Sequence, residues 1–256
     1  MDEEIDARRL IIFEKELGLY SAAGAICSYG DVIDFVEGEK QGVVIADTCG
    51  HLESCGQKMA QFLRQEIKTG WGIEGDAEQN LEKLGQKLFD LRGGKNRPYS
   101  DEWYDWVSAS YTQFSKEKIS LAMGGGLGET LILREDCSLE SIRMRGGVID
   151  EDYLEGHDPV YETTLQETEV MLLQSDGLLG NIYKNYWKHK LKDKNEFELK
   201  EVIGYNKGHL VSILAENRDC SPSVIRDALV SRLSQYFGPL FIRDDDVTFV
   251  VVKINR

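Results

Sequence analysis

Four aspartates stand at the ends of separate apolar segments: Asp31 in SYGDVIDF, Asp47 closing VVIADTCGH, Asp176 closing VMLLQSDGLLG, and Asp245 opening RDDDVTFVVVKI. A carboxylate at a strand terminus has a rigid support and still faces solvent. Several brought together would make a site for hard divalent cations, which prefer oxygen ligands. Each acid alone also has a plain structural use. Asp47 and Asp176-Gly177 can start turns, because aspartate accepts hydrogen bonds from the backbone beyond it. Asp244, Asp245 and Asp246 can be a solvated charge run guarding a sheet edge, and Asp31 can cap a strand. Strands lying side by side, however, bring ends together that are far apart in sequence. Carboxylates crowded in that way repel strongly, so either their pKa values rise or cations neutralise them. Two Mg or Mn ions match four carboxylates in charge. A pair of such ions about 3.5–4 Å apart clamps an in-line phosphoryl displacement.

The segments between these acids must position them. LYSAAGAICSYGDVIDFVEG is the first strongly β stretch. A turn at Glu37–Lys40 leads from it into GVVIAD, and the pair reads as a hairpin. Leu52, Cys55, Met59, Phe62 and Leu63 recur at helical spacing, with Gly70 as the stop. A second helix runs from about Asp76 to Leu91. Asp76 and Gln79 sit at reciprocal capping positions, and Leu81, Leu84, Leu88 and Leu91 form its stripe. VSASYTQF, ISLAM, ETLILRE and EVMLLQSD read as further strands, with a turn at Ser115–Lys118. Residues 180–240 read as mostly helical. Ser221-Pro222 starts a helix that continues through Val224, Ala228, Leu229, Leu233 and Tyr236, and VTFVVVKI is the last strand. Strands, two helices, strands, helices and a strand, many joined by tight turns, make an α+β protein with mainly antiparallel sheet.

Composition narrows the chemistry. With 256 residues, 41% hydrophobic and 29% charged, the chain can bury a substantial core. A net charge of −15 repels phosphate backbones and argues against nucleic acid as a partner. Cys27, Cys49, Cys55, Cys137 and Cys220 form no CxxC pair, against both a zinc cluster and a disulfide scaffold. The N-terminus MDEEIDARRL lacks a signal-peptide core and no apolar run spans a bilayer, so the expectation is a cytoplasmic protein with no membrane partner.

GVVIADTCGH resembles the apolar-strand-then-DxxGH motif of the metal-dependent PPM serine/threonine phosphatases. It is most similar to the bacterial branch typified by the sporulation stage II E and stress-regulator phosphatases. YGDVIDF looks like that branch's GGDxxD segment, LLQSDGLLGN like its SDG segment, and DDDVTFVVVKI like its terminal DD-x-T strand. The four motifs occur in the branch's order and span roughly residues 20–256. The resemblance implies a four-layer αββα sandwich: two antiparallel sheets flanked by helices. It implies a single domain over 1–256, with 1–18 set apart as a candidate N-terminal extension. It also implies hydrolysis of phosphoserine or phosphothreonine on a protein by water activated on two Mn2+ or Mg2+ ions.

By the same resemblance Asp47 bridges both metals and the carbonyl of Thr48 is a further ligand. Asp176 and Asp245 serve the second ion, and Asp31 lies near the first. Asp47 and Asp176 are thus the catalytic candidates, while Asp34 and Asp246 stand outside the ligand set. A phosphoprotein substrate and a regulatory protein are the implied partners. The alternatives are a pseudophosphatase that binds or regulates with the same fold, and a metal-dependent phosphatase of small phosphate esters. The chain departs from the branch pattern at Tyr29, Cys49, Leu52 and Met123–Gly128, which bears on loop shape and specificity. Lesser candidates have plainer readings. GGGLG is a phosphate cradle or, more simply, a tight turn. His51 is a general acid or a local hydrogen-bonding residue. Cys49 is a redox switch or a small buried residue. KNYWKHKLKDK, from Lys184 to Lys194, is a docking patch or a solvated helix face.

Overall fold

The apolar segments that end in acids are strands. A computed structural model describes residues 10–28, 30–48, 53–70, 75–91, 107–124, 129–142, 160–175, 177–178, 208–237 and 247–255. In chain order the strands are β1 (Ile11–Leu17), β2 (Tyr20–Cys27), β3 (Val32–Val36), β4 (Gln41–Thr48), β5 (Val107–Phe114) and β6 (Ile119–Gly124). They continue with β7 (Thr130–Leu133), β8 (Leu139–Ile142), β9 (Tyr161–Thr163), β10 (Val170–Gln174) and β11 (Val247–Ile254). The helices are α1 (Glu53–Gly70), α2 (Ala77–Leu91), α3 over 208–216, and α4 (Pro222–Phe237). A six-stranded sheet A has the order β1-β2-β11-β10-β7-β8, and a five-stranded sheet B the order β3-β4-β5-β6-β9. Every pairing is antiparallel.

Alternation along the strands sorts the core into three layers of side chains. Val43 and Ile45 of β4 face Met171, Leu173, Val250 and Val252 of sheet A. The intervening Val44 and Ala46 face the other way, against Leu63 of α1 and Leu81 and Leu84 of α2. On the far side of sheet A, Leu172 and Val251 pack under Leu210 and Leu214 of α3 and Ile225 and Leu229 of α4. The central strands are therefore buried on both faces, which is why they read as unbroken apolar runs. The result is the expected αββα layering. At the start of α2, Gln79 N–H donates to Asp76 Oδ1 at 3.0 Å, and Asp76 N–H donates to Gln79 Oε1 at 3.2 Å. This is the reciprocal cap read from the sequence. In α4 the buried stripe uses Ile225 and Leu229, while Val224 points out at 46% exposure.

The stretch that read as one β segment is two strands in different sheets. β2 belongs to sheet A and β3 to sheet B, so the link between them, which carries Asp31, crosses the sandwich. Ile11–Leu17, inside the 1–18 segment set apart as an extension, is the edge strand of sheet A, paired from Ile11↔Ile26 to Leu17↔Tyr20. The β1/β3 side of the sandwich is closed by an edge-on contact of Phe13 with Phe35, ring centroids 5.5 Å apart, and by the Lys15–Glu37 ion pair. The opposite side is closed by Arg134, whose guanidinium donates to Glu140 of β8, to Thr163 of β9 and to Glu169 ahead of β10. Burial there opposes its charge, but the two glutamates outweigh that and hold its pKa above the ordinary value.

Tyr111 of β5 is fully buried in the layer beneath α2, and its hydroxyl donates to the Lys40 carbonyl at 3.3 Å. Burial pushes its phenol pKa well above the ordinary 10.0. A folded value above the unfolded one means that the neutral phenol's contribution is complete below about pH 10 and lost as pH rises beyond it. Tyr111→Phe is therefore expected to move the alkaline unfolding midpoint upward while costing about 1 kcal/mol at neutral pH for the lost hydrogen bond. Circular dichroism across a pH titration checks both.

Candidate metal centre

Antiparallel pairing puts one end of many strands on a common rim. The open end of the β3/β4 hairpin follows the pair Val32↔Ala46, so Asp31 and Asp47 are the next residues on its two strands. Asp47 is paired on its other side with Ser108 of β5. It continues the Val43–Ile45 alternation and so stands on the face that looks toward sheet A. It is half-buried, whereas Asp31 is 2% exposed. In sheet A, Val247 at the start of β11 pairs with Cys27 at the end of β2, and Gln174 at the end of β10 pairs with Phe249. These ends lie on the same rim, because Thr248 reaches from β11 across to Asp31: its hydroxyl donates to Asp31 Oδ2 at 2.6 Å.

The loop carrying Asp31 is held locally as well. Ser28 Oγ accepts from Asp31 N–H at 2.7 Å and from Gly30 N–H at 3.0 Å. On sheet A, Ser175 N–H donates to the Thr248 carbonyl at 2.9 Å, and Thr248 N–H donates to Ser175 Oγ at 3.2 Å. Ser175 is the residue before Asp176. Thr48, the last residue of β4, is buried, and its hydroxyl has no hydrogen-bond partner. Asp34 lies on the other face of β3 from Asp31, the face it shares with Val32 and Val36, which pack below α1. Its Oδ1 accepts from Phe35 N–H at 2.9 Å.

Of the expected site residues, Asp31, Asp47 and Thr48 are thus gathered at one rim. Asp176 and Asp245 lie outside the described residues, as do Asp246, Cys49, His51, Leu52, Gly125–Gly128 and the basic run Lys184–Lys194. Among the described residues no three His, Cys, Asp or Glu side chains converge on a cation position. Among the described residues the donors at the rim are nonetheless oxygens: two carboxylates and the hydroxyls of Ser28, Ser175 and Thr248. Cys27 turns away into the cluster beneath α3 and α4. Such a set suits Mg or Mn, not a thiophilic metal. The sequence reading gave no role to Ser28, Ser175 or Thr248, although Ser175 and Thr248 stand inside the SDG and DD-x-T segments. Thr248 had a signal: it is the one hydroxyl in the otherwise apolar start of VTFVVVKI.

No protein-family model matches the sequence, and no curated protein does. Solved structures do. RsbX in complex with magnesium superposes with a TM-score of 0.60 at 14% identity, over 96% of this chain and 100% of that one. The SiaA-PP2C domain of Pseudomonas aeruginosa gives 0.63 at 14% identity, over 96% and 86%. The PP2C phosphatase domain of SpoIIE from Bacillus subtilis, with a fragment of its regulatory domain, gives 0.60 at 16% identity, over 97% and 70%. The chain has the PP2C-type phosphatase fold. Within that fold the rim that gathers Asp31 and Asp47 joins strand ends of the two facing sheets. No helix among the described residues is long and apolar enough to cross a membrane.

Proposed function

We propose that this chain is a divalent-metal-dependent phosphatase of phosphoserine and phosphothreonine in proteins. The observation that carries the reading is the meeting, at one rim, of Asp31 and Asp47 from sheet B with the ends of β10 and β11, the strands that adjoin Asp176 and Asp245 in sequence. Asp47, Asp31, Asp176, Asp245 and the Thr48 carbonyl would hold two Mn or Mg ions. Bound there, such ions would supply a water acidic enough to act as hydroxide at neutral pH and would offset charge on the phosphoryl oxygens.

The chain's own part is positional and electrostatic. β4 is paired on both sides, so Asp47 stands on a fixed strand end. Asp31 is held through its backbone by Ser28 and through its carboxylate by Thr248. A protein of net charge −15 with an acidic rim repels a phosphate dianion, so substrate binding itself requires the cations. Neither a cysteine nor a serine nucleophile is required. A phosphoprotein is the substrate, a regulatory protein is a second partner, and the cytoplasm is the compartment.

Hydrolysis of an aryl phosphate, phosphopeptides and nucleotides, with Mn and with EDTA, tests the reading. The expected result is turnover that appears with Mn, vanishes with EDTA, and favours phosphopeptides over nucleotides by tenfold or more in kcat/KM. Turnover that survives EDTA refutes the metal dependence. A preference for nucleotides transfers the activity to small esters, and Mn binding without turnover makes the chain a binding module of the same fold.

A further inference from the structure

We propose that Thr248 is a positioning residue, whose hydroxyl sets the Asp31 carboxylate for divalent-cation binding and ties the rim of sheet A to that of sheet B. The inference rests on the dinuclear reading of the rim. Thr248 is fully buried, in a strand whose neighbours on the same face are Val250 and Val252. A hydroxyl in such surroundings costs free energy unless it bonds. The Thr248 hydroxyl donates to Asp31 Oδ2 at 2.6 Å. Two further constraints fix its direction. The threonine's branched Cβ restricts its rotamer, and its backbone is locked in both directions to Ser175. Asp31 is restrained from the other side by Ser28.

Thr248 is therefore bonded to Asp31 and to the residue that precedes Asp176, and it lies three residues after Asp245 in sequence. One residue thus ties the start of β3, beside Asp31, to the strands that adjoin Asp176 and Asp245 in sequence. Groups that orient metal ligands from behind in this way commonly carry a 10–100-fold share of metal affinity.

Calorimetric titration of the full chain with Mn, for wild type, Thr248→Val, Thr248→Ala, Thr248→Ser and Asp47→Asn, tests the inference. Far-UV circular dichroism establishes that each variant is folded. Loss of the hydroxyl in the Val and Ala variants is expected to weaken Mn binding about 10–100-fold, and serine to restore it to within about threefold of wild type. The Mn concentration that half-activates hydrolysis is expected to rise by the same factor, with kcat recovering at saturating Mn. Wild-type affinity in a folded hydroxyl-free variant overturns the proposal. So does failure of both hydroxyl-free variants to fold, because the bond would then be structural. If Asp47→Asn loses Mn and Thr248→Val does not, only this inference falls. If wild type binds no Mn, the dinuclear reading falls with it. If Thr248→Val loses Mn but wild type hydrolyses no phosphopeptide, the positioning role stands and the phosphatase reading fails.

Discussion

Asp47→Asn is expected to lower Mn-supported hydrolysis of a phosphopeptide about a thousandfold in kcat, the scale on which one electrostatic contact to a transition state acts, or roughly 4 kcal/mol of barrier. Asparagine keeps the shape of the side chain and removes its charge. The strand beneath is held by β3 and β5 on either side, so the fold has no reason to change. Stability is expected to move the other way. Asp31 and Asp47 stand next to each other on the open end of one hairpin, and without cations their like charges repel. Removing one charge should raise the melting temperature of the metal-free protein and abolish the further rise that Mn gives wild type. Steady-state kinetics and thermal melts with and without Mn check both halves. A variant that loses activity but still gains stability from Mn as wild type does would remove Asp47 from the ligand set.

Gly24→Ala is expected to destabilise the chain by about 3 kcal/mol, lowering the melting temperature by roughly 6–12 °C. Gly24 lies in β2 between Phe13 of β1 and Val250 of β11. A methyl there would sit 2.3 Å from the Phe249 carbonyl oxygen and 2.4 Å from the Phe13 ring. The ring could turn away, but the carbonyl belongs to the central strand of sheet A and has nowhere to go. Turning the ring would also forfeit its contact with Phe35, which ties the two sheets together. Because β2 and β11 reach the site rim, the same substitution is expected to weaken Mn binding. Denaturant melts of wild type and variant measure the loss. A variant within 1 kcal/mol of wild type (about the median cost of a mutation) would mean that the strands separate there more easily than their pairing implies.

Much of this was legible in the residues, for physical reasons that differ from place to place. The strands β4, β10 and β11 announced themselves because burial on two faces demands unbroken Val, Ile and Leu. The cap of α2 was readable because Asp76 and Gln79 satisfy each other locally, with no help from the rest of the fold. The edges were not. β1 alternates in burial, with Phe13, Lys15 and Leu17 on its covered face, but exposed Ile11 and Ile12 and the charge of Lys15 hide that pattern in the sequence. β8 and β9 are four and three residues long, too short to carry a period. The division of one β stretch into β2 and β3 depends on sheet membership, which is set by partners far along the chain. For the site, the types and strand-end positions of the acids were visible, but their meeting rested on resemblance, since register between distant strands is not written in any one of them. Thr248 shows the remainder: a single polar residue in an apolar strand signals a partner without naming it, and Asp31 is 217 residues away.

Anomalous diffraction from a crystal grown with Mn tests most directly whether strand-end acids from both sheets share a pair of cations. Two Mn peaks about 3.5–4 Å apart, within bonding distance of Asp47 and between the rims that bear Asp31, Asp176 and Asp245, are the expected result. No peak at that rim, or Mn bound elsewhere with the four acids apart, would contradict it.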